Sequence, residues 1–243
     1  MAIRHIGSNK EEKLIHAKKC QDFMRLTKKN AERSGMKINT TKTKLLCISV
    51  SRNSNINAFV KADSQIIYGE DTLKMLGFVF GRHPNANAHV QHLTHRFYSR
   101  MWILRHLKAA GIAEDRLVQV YCCYMRPVIE YASNVYGCLL SEEAEERVEQ
   151  LQRNALRVIY KSGKSYIKLR EQAQIDTLKS RRTENFRKFS LKVNASDRFR
   201  NQWLTTKDHN KNTRCQEKYK ITHAKWDRYK NGHLNNMKRI LNS

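Results

Sequence analysis

The chain has 243 residues, 40% of them hydrophobic, with 2 prolines and 9 glycines; this supplies a folded core and argues against a long disordered linker. Its formal net charge is +25 at pH 7 and its pI about 10.0, a surplus far beyond what solubility needs, which favours a polyanionic partner with nucleic acid first. No apolar run approaches the roughly 18 residues of a membrane span, no N-terminal segment reads as a secretion signal, and six cysteines without a CxxC pair exclude a disulfide framework or a zinc ribbon, so no membrane and a reducing intracellular setting, nuclear or cytoplasmic, are expected.

Ser8 and Glu11 have the S-x-x-E spacing of a capping box, and Leu14, Ile15, Phe23, Met24 and Leu26 follow as a broken helical stripe. These predict a helix over about 9–34 that stops at Gly35. Residues 36–50 are rich in Ile, Thr, Leu and Val and predict a strand ending at the turn cluster Ser51-Arg52-Asn53-Ser54-Asn55. On such a strand Lys42 and Lys44 share one face, with Asn39 three residues before Lys42. That face suits phosphate, though two solvated lysines give the same pattern. Ile56, Ala58 and Val60 alternate, Ile66-Ile67 begin another short run, and Leu76-Gly77-Phe78-Val79-Phe80 reads as a further strand. Glu70-Asp71 reads as a solvated turn. Residues 1–80 are therefore expected to form a helix with antiparallel hairpins.

Beyond Pro84 the pattern becomes helical. Val90, Leu93, Phe97, Met101, Leu104 and Leu107 fall on one face of a helix over 87–110, stopped by Gly111. A second helix over 114–137 is expected to be interrupted at Pro127, which has no backbone N–H to donate. A third, over 142–160, opens with Glu142, Glu143, Glu145 and Glu146, which suit the positive end of the helix dipole. Residues 166–203 read as mostly helical. Charge is uneven: residues 1–150 carry 23 Lys and Arg against 15 Asp and Glu, and residues 151–243 carry 24 against 7, so the stronger basic footprint lies in the last third.

Catalytic chemistry is hard to find. His83, His89, His92 and His95 include i,i+3 neighbours that two at a time could reach one metal, but no carboxylate lies between them and no cysteine is close; polar helix-face histidines are the better reading. Two-metal phosphoryl transfer needs convergent carboxylates, and the sequence has no DD pair and no DxD. There is no glycine-rich phosphate loop and no GxSxG. Trp203, Tyr219, Trp226 and Tyr229 are interleaved with Lys207, Lys211, Arg214, Lys218, Lys220, Lys225, Arg228 and Lys230. Rings among cations suit stacking on bases beside phosphate neutralisation, and the same rings would equally fill a small core.

Taken in order, several segments resemble the C-terminal part of the reverse transcriptases of non-LTR, LINE-like retrotransposons. GMKINTTKTK (35–44) resembles the family's palm strand G-x-x-x-N-x-x-K-T, motif D; LKMLGFVF (73–80) is similar to the Leu-Gly primer grip that follows it. RPVIEYASNVYG (126–137) resembles R-P-x-x-E-Y-A-x-x-x-W with Tyr136 in the tryptophan position, and VEQLQRNALRVIY (148–160) resembles Q-R-x-A-L-R-x-I. DTLKSRR (176–182) and DRYKNGHLNNMKRILN (227–242) look like the end of that reading frame.

The resemblance implies an α+β, mostly α architecture: a small antiparallel palm remnant over 1–80, a helical thumb over 81–160 and a basic helical tail over 161–243. It implies that Lys42, with Asn39 and Lys44, lies near nucleotide phosphates, and that Leu76, Gly77 and Phe78 lie against a primer end. Arg153, Arg157, Arg181, Arg182, Lys225, Trp226 and Arg228 are the expected nucleic-acid contacts of the thumb and tail. The family's catalytic Tyr/Phe-Ala-Asp-Asp segment would fall just before Met1, so Mg²⁺ is implied only with those upstream aspartates and no catalytic residue is expected here. The expected function is RNA or DNA binding, a primer–template hybrid included, by a catalytically incomplete RNA-directed DNA polymerase. The alternatives are a module that docks on a full-length polymerase or on a second copy of itself, and a transposon remnant without function.

Overall fold

Glycine 35 sets the end of the first element. A computed structural model describes residues 10–48, 58–62, 65–204, 218–223 and 231–243, so the expected capping box at Ser8 and the turn cluster at 51–55 lie outside the described residues. Helix α1 runs over Lys10–Arg33. Gly35 then takes φ +69°, its N–H donates to the Glu32 carbonyl at 3.0 Å, and the Met36 N–H donates to the Ala31 carbonyl at 2.8 Å. This pair of bonds satisfies carbonyls that the helix end would leave open.

The expected strand over 36–50 is reduced to β1, Leu45–Leu46. The reason is Asn39. Its side-chain oxygen accepts from the Lys42 N–H at 3.1 Å and from the Thr41 hydroxyl at 2.6 Å, while its carbonyl accepts from the Thr43 hydroxyl at 2.8 Å. Short polar side chains that capture their own backbone offer it an alternative to a sheet ladder. Strands β2 (Phe59–Ala62) and β3 (Gln65–Glu70) pair antiparallel, in register Phe59↔Tyr68 and Lys61↔Ile66. Strand β2 takes one edge of β3. Strand β1 takes the other edge and runs parallel, with Leu45 opposite Gly69, where an antiparallel arrangement was expected. Helix α1 packs against β2, whose Val60 and Ala62 are buried.

Strands β4 (Thr72–Met75) and β5 (Phe78–Gly81) form a second, separate hairpin. The expected continuous strand over 76–80 is corrected at its start. Leu76 and Gly77, at φ 49° and 80°, are a two-residue loop of the I′ kind between Met75 and Phe78. Such loops match the twist of the strands they join and need positive φ at both positions. Phe78 is buried, 4.6 Å from the Phe80 ring and 4.3 Å from the His89 ring, and His89 Nδ1 accepts from the Val79 N–H at 3.4 Å.

The chain divides into two compact units, 1–89 and 90–243. In the second, helix α2 (Asn87–Ala109) buries Val90, Leu93, Phe97, Met101 and Leu104 as its periodicity predicts, and Gly111 follows at φ 79°. Helix α3 (Glu114–Val120) leads into a five-residue π-helical segment, Tyr121–Met125, and then α4, Arg126–Glu130. The expected interruption at Pro127 is therefore not a break. Pro127 stands in the first turn of α4, and the wider π turn before it accommodates the missing N–H and the ring. The chain turns later, where Ala132 takes φ 55° ahead of α5 (Ser133–Tyr136) and a 3-10 turn, Gly137–Leu139. Tyr136 folds back on α4 and its hydroxyl donates to the Ile129 carbonyl at 2.5 Å; burial pushes its pKa up to about 12.

Helix α6 (Glu142–Tyr160) starts at Ser141, whose hydroxyl accepts from the Ala144 N–H at 3.2 Å. It buries Val148, Leu151, Ala155, Leu156 and Ile159 against its neighbours. It packs on α3, on α7 (Tyr166–Ala173) and on α8 (Leu178–Ala195), and α8 in turn packs on α5 and on α9 (Asp197–Trp203). The last helix, α10 (His233–Asn242), also lies on α8. Residues of 81–160 and of 161–243 thus share one core. Val193, Leu204, Tyr219 and Met237 form its far end, with Phe186, Phe189, Trp203 and Leu241 packed around them. For Trp203 and Tyr219 the core reading holds. Asn242 brackets the Tyr219 backbone by accepting at 2.9 Å and donating at 3.0 Å, and Asn235 does the same to Thr222 at 3.0 and 2.9 Å. The fold is α+β and mostly α. Among the described residues no helix is long and apolar enough to cross a membrane.

Candidate nucleic-acid interface

Five acidic residues crowd the first two turns of α6, and they decide which arginines remain available. Glu145 takes Lys179 at 2.7 Å and also Arg182, which is buried and reaches it past Gly137, where only 3.3 Å would separate an added Cβ from the arginine Cδ. Burial pushes the Glu145 carboxyl up, but the hydrogen bond from Lys179 and the charges of Arg182 and Lys179 outweigh it and hold it below its usual value. Arg181 donates to both Glu130 carboxylate oxygens, from Nε and, at 3.2 Å, from Nη2, and Arg126 approaches the same carboxylate at 3.7 Å. Arg153 donates to Glu146 at 2.9 Å and to Gln150 at 2.7 Å, with its guanidinium 5.0 Å from the Tyr166 ring centre.

Three of the expected nucleic-acid contacts, Arg153, Arg181 and Arg182, are thus engaged by carboxylates of the same unit. Arg182 is the most committed of the three: it is buried on the partly buried Glu145, and releasing it would leave that carboxylate with Lys179 as its remaining ion-pair partner among the described residues. Arg157, one turn beyond Arg153 on α6, is exposed and forms no ion pair among the described residues. Lys225, Trp226 and Arg228 lie outside the described residues.

In unit 1–89 the expected phosphate face also changes. Lys42 is exposed, but in the Asn39 turn and not on a strand. Lys44 is paired with Glu70 at 2.9 Å. Asp71 sits in an exposed bend between β3 and β4, in keeping with the expected solvated turn, and is also paired with Arg82 at 2.5 Å. Of the three residues expected against a primer end, Leu76 is 86% exposed at the hairpin tip, Gly77 completes the turn and Phe78 is buried.

The histidines do not converge. His83 and His95 are exposed, while His89 is buried against Phe78. Among the described residues no three His, Cys, Asp or Glu side chains gather to hold a metal ion, and the residues present do not fit a Mg²⁺ pair.

The basic surplus has its own geography. In residues 90–243, Glu114, Glu143, Glu184 and Asp197 are paired with Lys108, Arg147, Arg187 and Arg200. Exposed cations are left over on several elements: Arg105 on α2, Arg157 and Lys161 at the end of α6, Lys168 on α7, Lys192 on α8 and Arg198 on α9. None of these six forms an ion pair among the described residues.

Two features escaped sequence reasoning. One is a buried polar hub in which the Tyr121 hydroxyl donates to Gln152 at 2.7 Å, Gln152 donates to Tyr166 at 2.8 Å and to the Asp176 carbonyl at 2.9 Å, and Tyr166 donates to Glu149. Burial, then the bond to Glu149, raises the Tyr166 pKa, so it stays a donor. Only the E-x-x-Q spacing of Glu149 and Gln152 on an otherwise apolar face hints at it. The other is the outer face of β2 and β3, where Phe59 and Tyr68 stand directly opposite each other and are 51% and 68% exposed. The alternation F-V-K-A against Q-I-I-Y was a usable signal for that face. Comparison of the chain with protein families, with curated proteins and with solved structures finds no match.

Proposed function

We propose that this chain is the C-terminal portion of a non-LTR retrotransposon type of reverse transcriptase and that it holds RNA or DNA, a primer–template hybrid included, through phosphate contacts. The observation that carries the binding is the set of six exposed cations in 90–243 that form no ion pair among the described residues, on a chain of net charge +25. Cations already matched by carboxylates contribute little to an external field; unmatched ones on the surface condense onto a polyanion and release its counterions. The order of the motifs from GMKINTTKTK to the closing DRYKNGHLNNMKRILN supports the family reading. Contacts of this kind position a duplex without reading its bases, so little sequence preference is expected. Primer extension by this chain alone is not expected, because its sequence carries no DD pair or DxD of the kind that two-metal chemistry uses.

The test is a salt titration of the affinity for an RNA–DNA hybrid, followed by fluorescence anisotropy. Log affinity should fall linearly with log salt, and Arg157→Gln with Lys161→Gln should flatten the slope by roughly one unit per phosphate lost. An affinity indifferent to salt overturns the proposal.

A second reading, docking on a full-length polymerase or on another copy, is favoured by one observation: Leu76 and Met75 expose apolar side chains at the β4–β5 tip. Binding that survives neutralisation of the six cations and fails with Leu76→Asp selects it.

A further inference from the structure

We infer that the outer face of β2 and β3 is a stacking platform for unpaired bases of single-stranded RNA or DNA, with Phe59 and Tyr68 as the rings and Lys61 as the phosphate contact. The inference rests on the nucleic-acid reading above and adds a site and a strand state to it.

The register places the platform. Phe59 opposes Tyr68, and Lys61 opposes Ile66, so all four side chains leave the same side of the sheet. The Gly69 N–H donates to the Ala58 carbonyl at 2.8 Å, which makes the neighbouring Phe59–Tyr68 pair one without mutual backbone bonds. Side chains in such pairs stand closest, with Cα atoms about 4.5 Å apart. The other side of β2 is already used: Val60 and Ala62 are buried where α1 packs.

A strand from another protein has no access at this edge. The Gln21 side chain donates to the Lys61 carbonyl at 2.8 Å and accepts from the Lys61 N–H at 2.9 Å, which closes the outer edge of β2 at its centre. Docking by strand addition is blocked there, and what remains open is the face.

Its chemistry selects the occupant. Two aromatic rings stand exposed side by side, with an exposed lysine two residues along the same strand. The acid on that face, Glu70, is neutralised by Lys44 at 2.9 Å. Residues 1–89 carry 16 Lys and Arg against 7 Asp and Glu, so the field around the face attracts phosphate. Exposed rings on a sheet, flanked by cations, stack splayed bases whatever their identity, because every base has a π-face. A paired duplex hides those faces, so the platform discriminates strand state and not sequence.

The experiment uses the full chain and fluorescein-labelled 15-mers of U and of dT, read by anisotropy across a salt series, with an RNA–DNA hybrid as comparison. Phe59→Ala and Tyr68→Ala should each weaken binding to the single strands by about tenfold with the salt slope unchanged and with hybrid binding unchanged. Lys61→Gln should lower the slope by roughly 0.7. Phe59→Leu and Tyr68→Leu should lose as much as the alanine variants, because area without a π-face does not stack. A Phe59→Trp reporter should be quenched by either oligonucleotide. Retention of affinity in the leucine variants, or an apolar protein partner lost on the same substitutions, overturns the platform. If both strands and hybrid bind the wild type with a salt slope but the ring variants bind as tightly, the platform falls and the phosphate-binding proposal stands. If the wild type binds neither, both fall. All the substituted side chains are exposed, and far-UV circular dichroism checks each fold.

Discussion

The two units bury very different amounts of apolar side chain. Among the described residues 1–89, the buried apolar set is Val60, Ala62, Phe78 and Ala86. Residues 90–243 bury a run from Val90 to Met237 that includes Phe97, Leu104, Tyr121, Leu151, Leu156 and Tyr219. Burial of apolar area is the main favourable term in folding, at roughly 25 cal/mol per Å². The second unit can therefore stand on its own core, whereas the first is held by α1 against one strand, by turns and by exposed ion pairs such as Lys44–Glu70, each worth at most about 1 kcal/mol. Stability and exposed surface are distributed in opposite senses.

The largest expected effect is a separation of unfolding transitions. All three tryptophans, Trp102, Trp203 and Trp226, belong to 90–243, so tryptophan fluorescence reports that unit alone. Far-UV circular dichroism reports both. In urea the dichroism should begin to fall well before the fluorescence, and native-state hydrogen exchange should open β2 and β3 before α6. Coincident transitions would break the comparison.

Next come substitutions in the stable unit. Leu156→Ala, at a fully buried site on α6, should cost about 3–4 kcal/mol by fluorescence-detected denaturation. Arg182→Ala leaves Glu145 half-desolvated with only Lys179, and a loss of about 3 kcal/mol is expected.

The pH dependence is smaller. Burial between Phe186 and Phe189, at ring distances of 4.8 and 5.8 Å, lowers the pKa of His233. The unfolded chain then binds the proton more readily, so stability is full above about pH 6.5 and declines as the pH falls below that value. His233→Phe should remove that decline. Glu145, whose pKa is depressed, adds a further loss below about pH 4, as the pH falls through its folded value.

The smallest change should be a gain. Leu76 holds φ 49°, a region in which a leucine Cβ costs about 1 kcal/mol. Leu76→Asn, the residue that I′ turns favour, should stabilise the β4–β5 hairpin by a few tenths to about 1 kcal/mol, visible as slower exchange at Phe78.

Most helices were legible because their signals are local. Gly35 and Gly111 end α1 and α2 as read, and the apolar spacing of α2 names its buried face. The acidic start of α6 was legible as a helix start, but not as the anchor that engages Lys179 and Arg182, since ion pairs across 34 and 37 positions leave no periodic trace. The same holds for Tyr219, whose burial depends on Asn194 and α10. Residues 36–44 misled for a different reason. Their β-branched composition favours a strand, and a single asparagine outweighs it by supplying backbone partners at closer range. Leu76-Gly77 was readable as a turn from its glycine, and the apolar residues around it hid this.

The π segment Tyr121–Met125 has a consequence for alignment. Each residue of an α-helix advances about 100° around the axis. A single π turn spends one residue more than an α turn on the same rotation, so the residues before it are out of phase with those after it by about that angle. Any ungapped heptad or moment reading laid across 114–130 will assign one half of the helix to the wrong side. It also ties the extra residue to Pro127: a chain one residue shorter here, with one cysteine in place of Cys122-Cys123, would lose the wide turn that accommodates the proline ring, so that deletion is compatible with an unbroken helix only where another residue replaces Pro127.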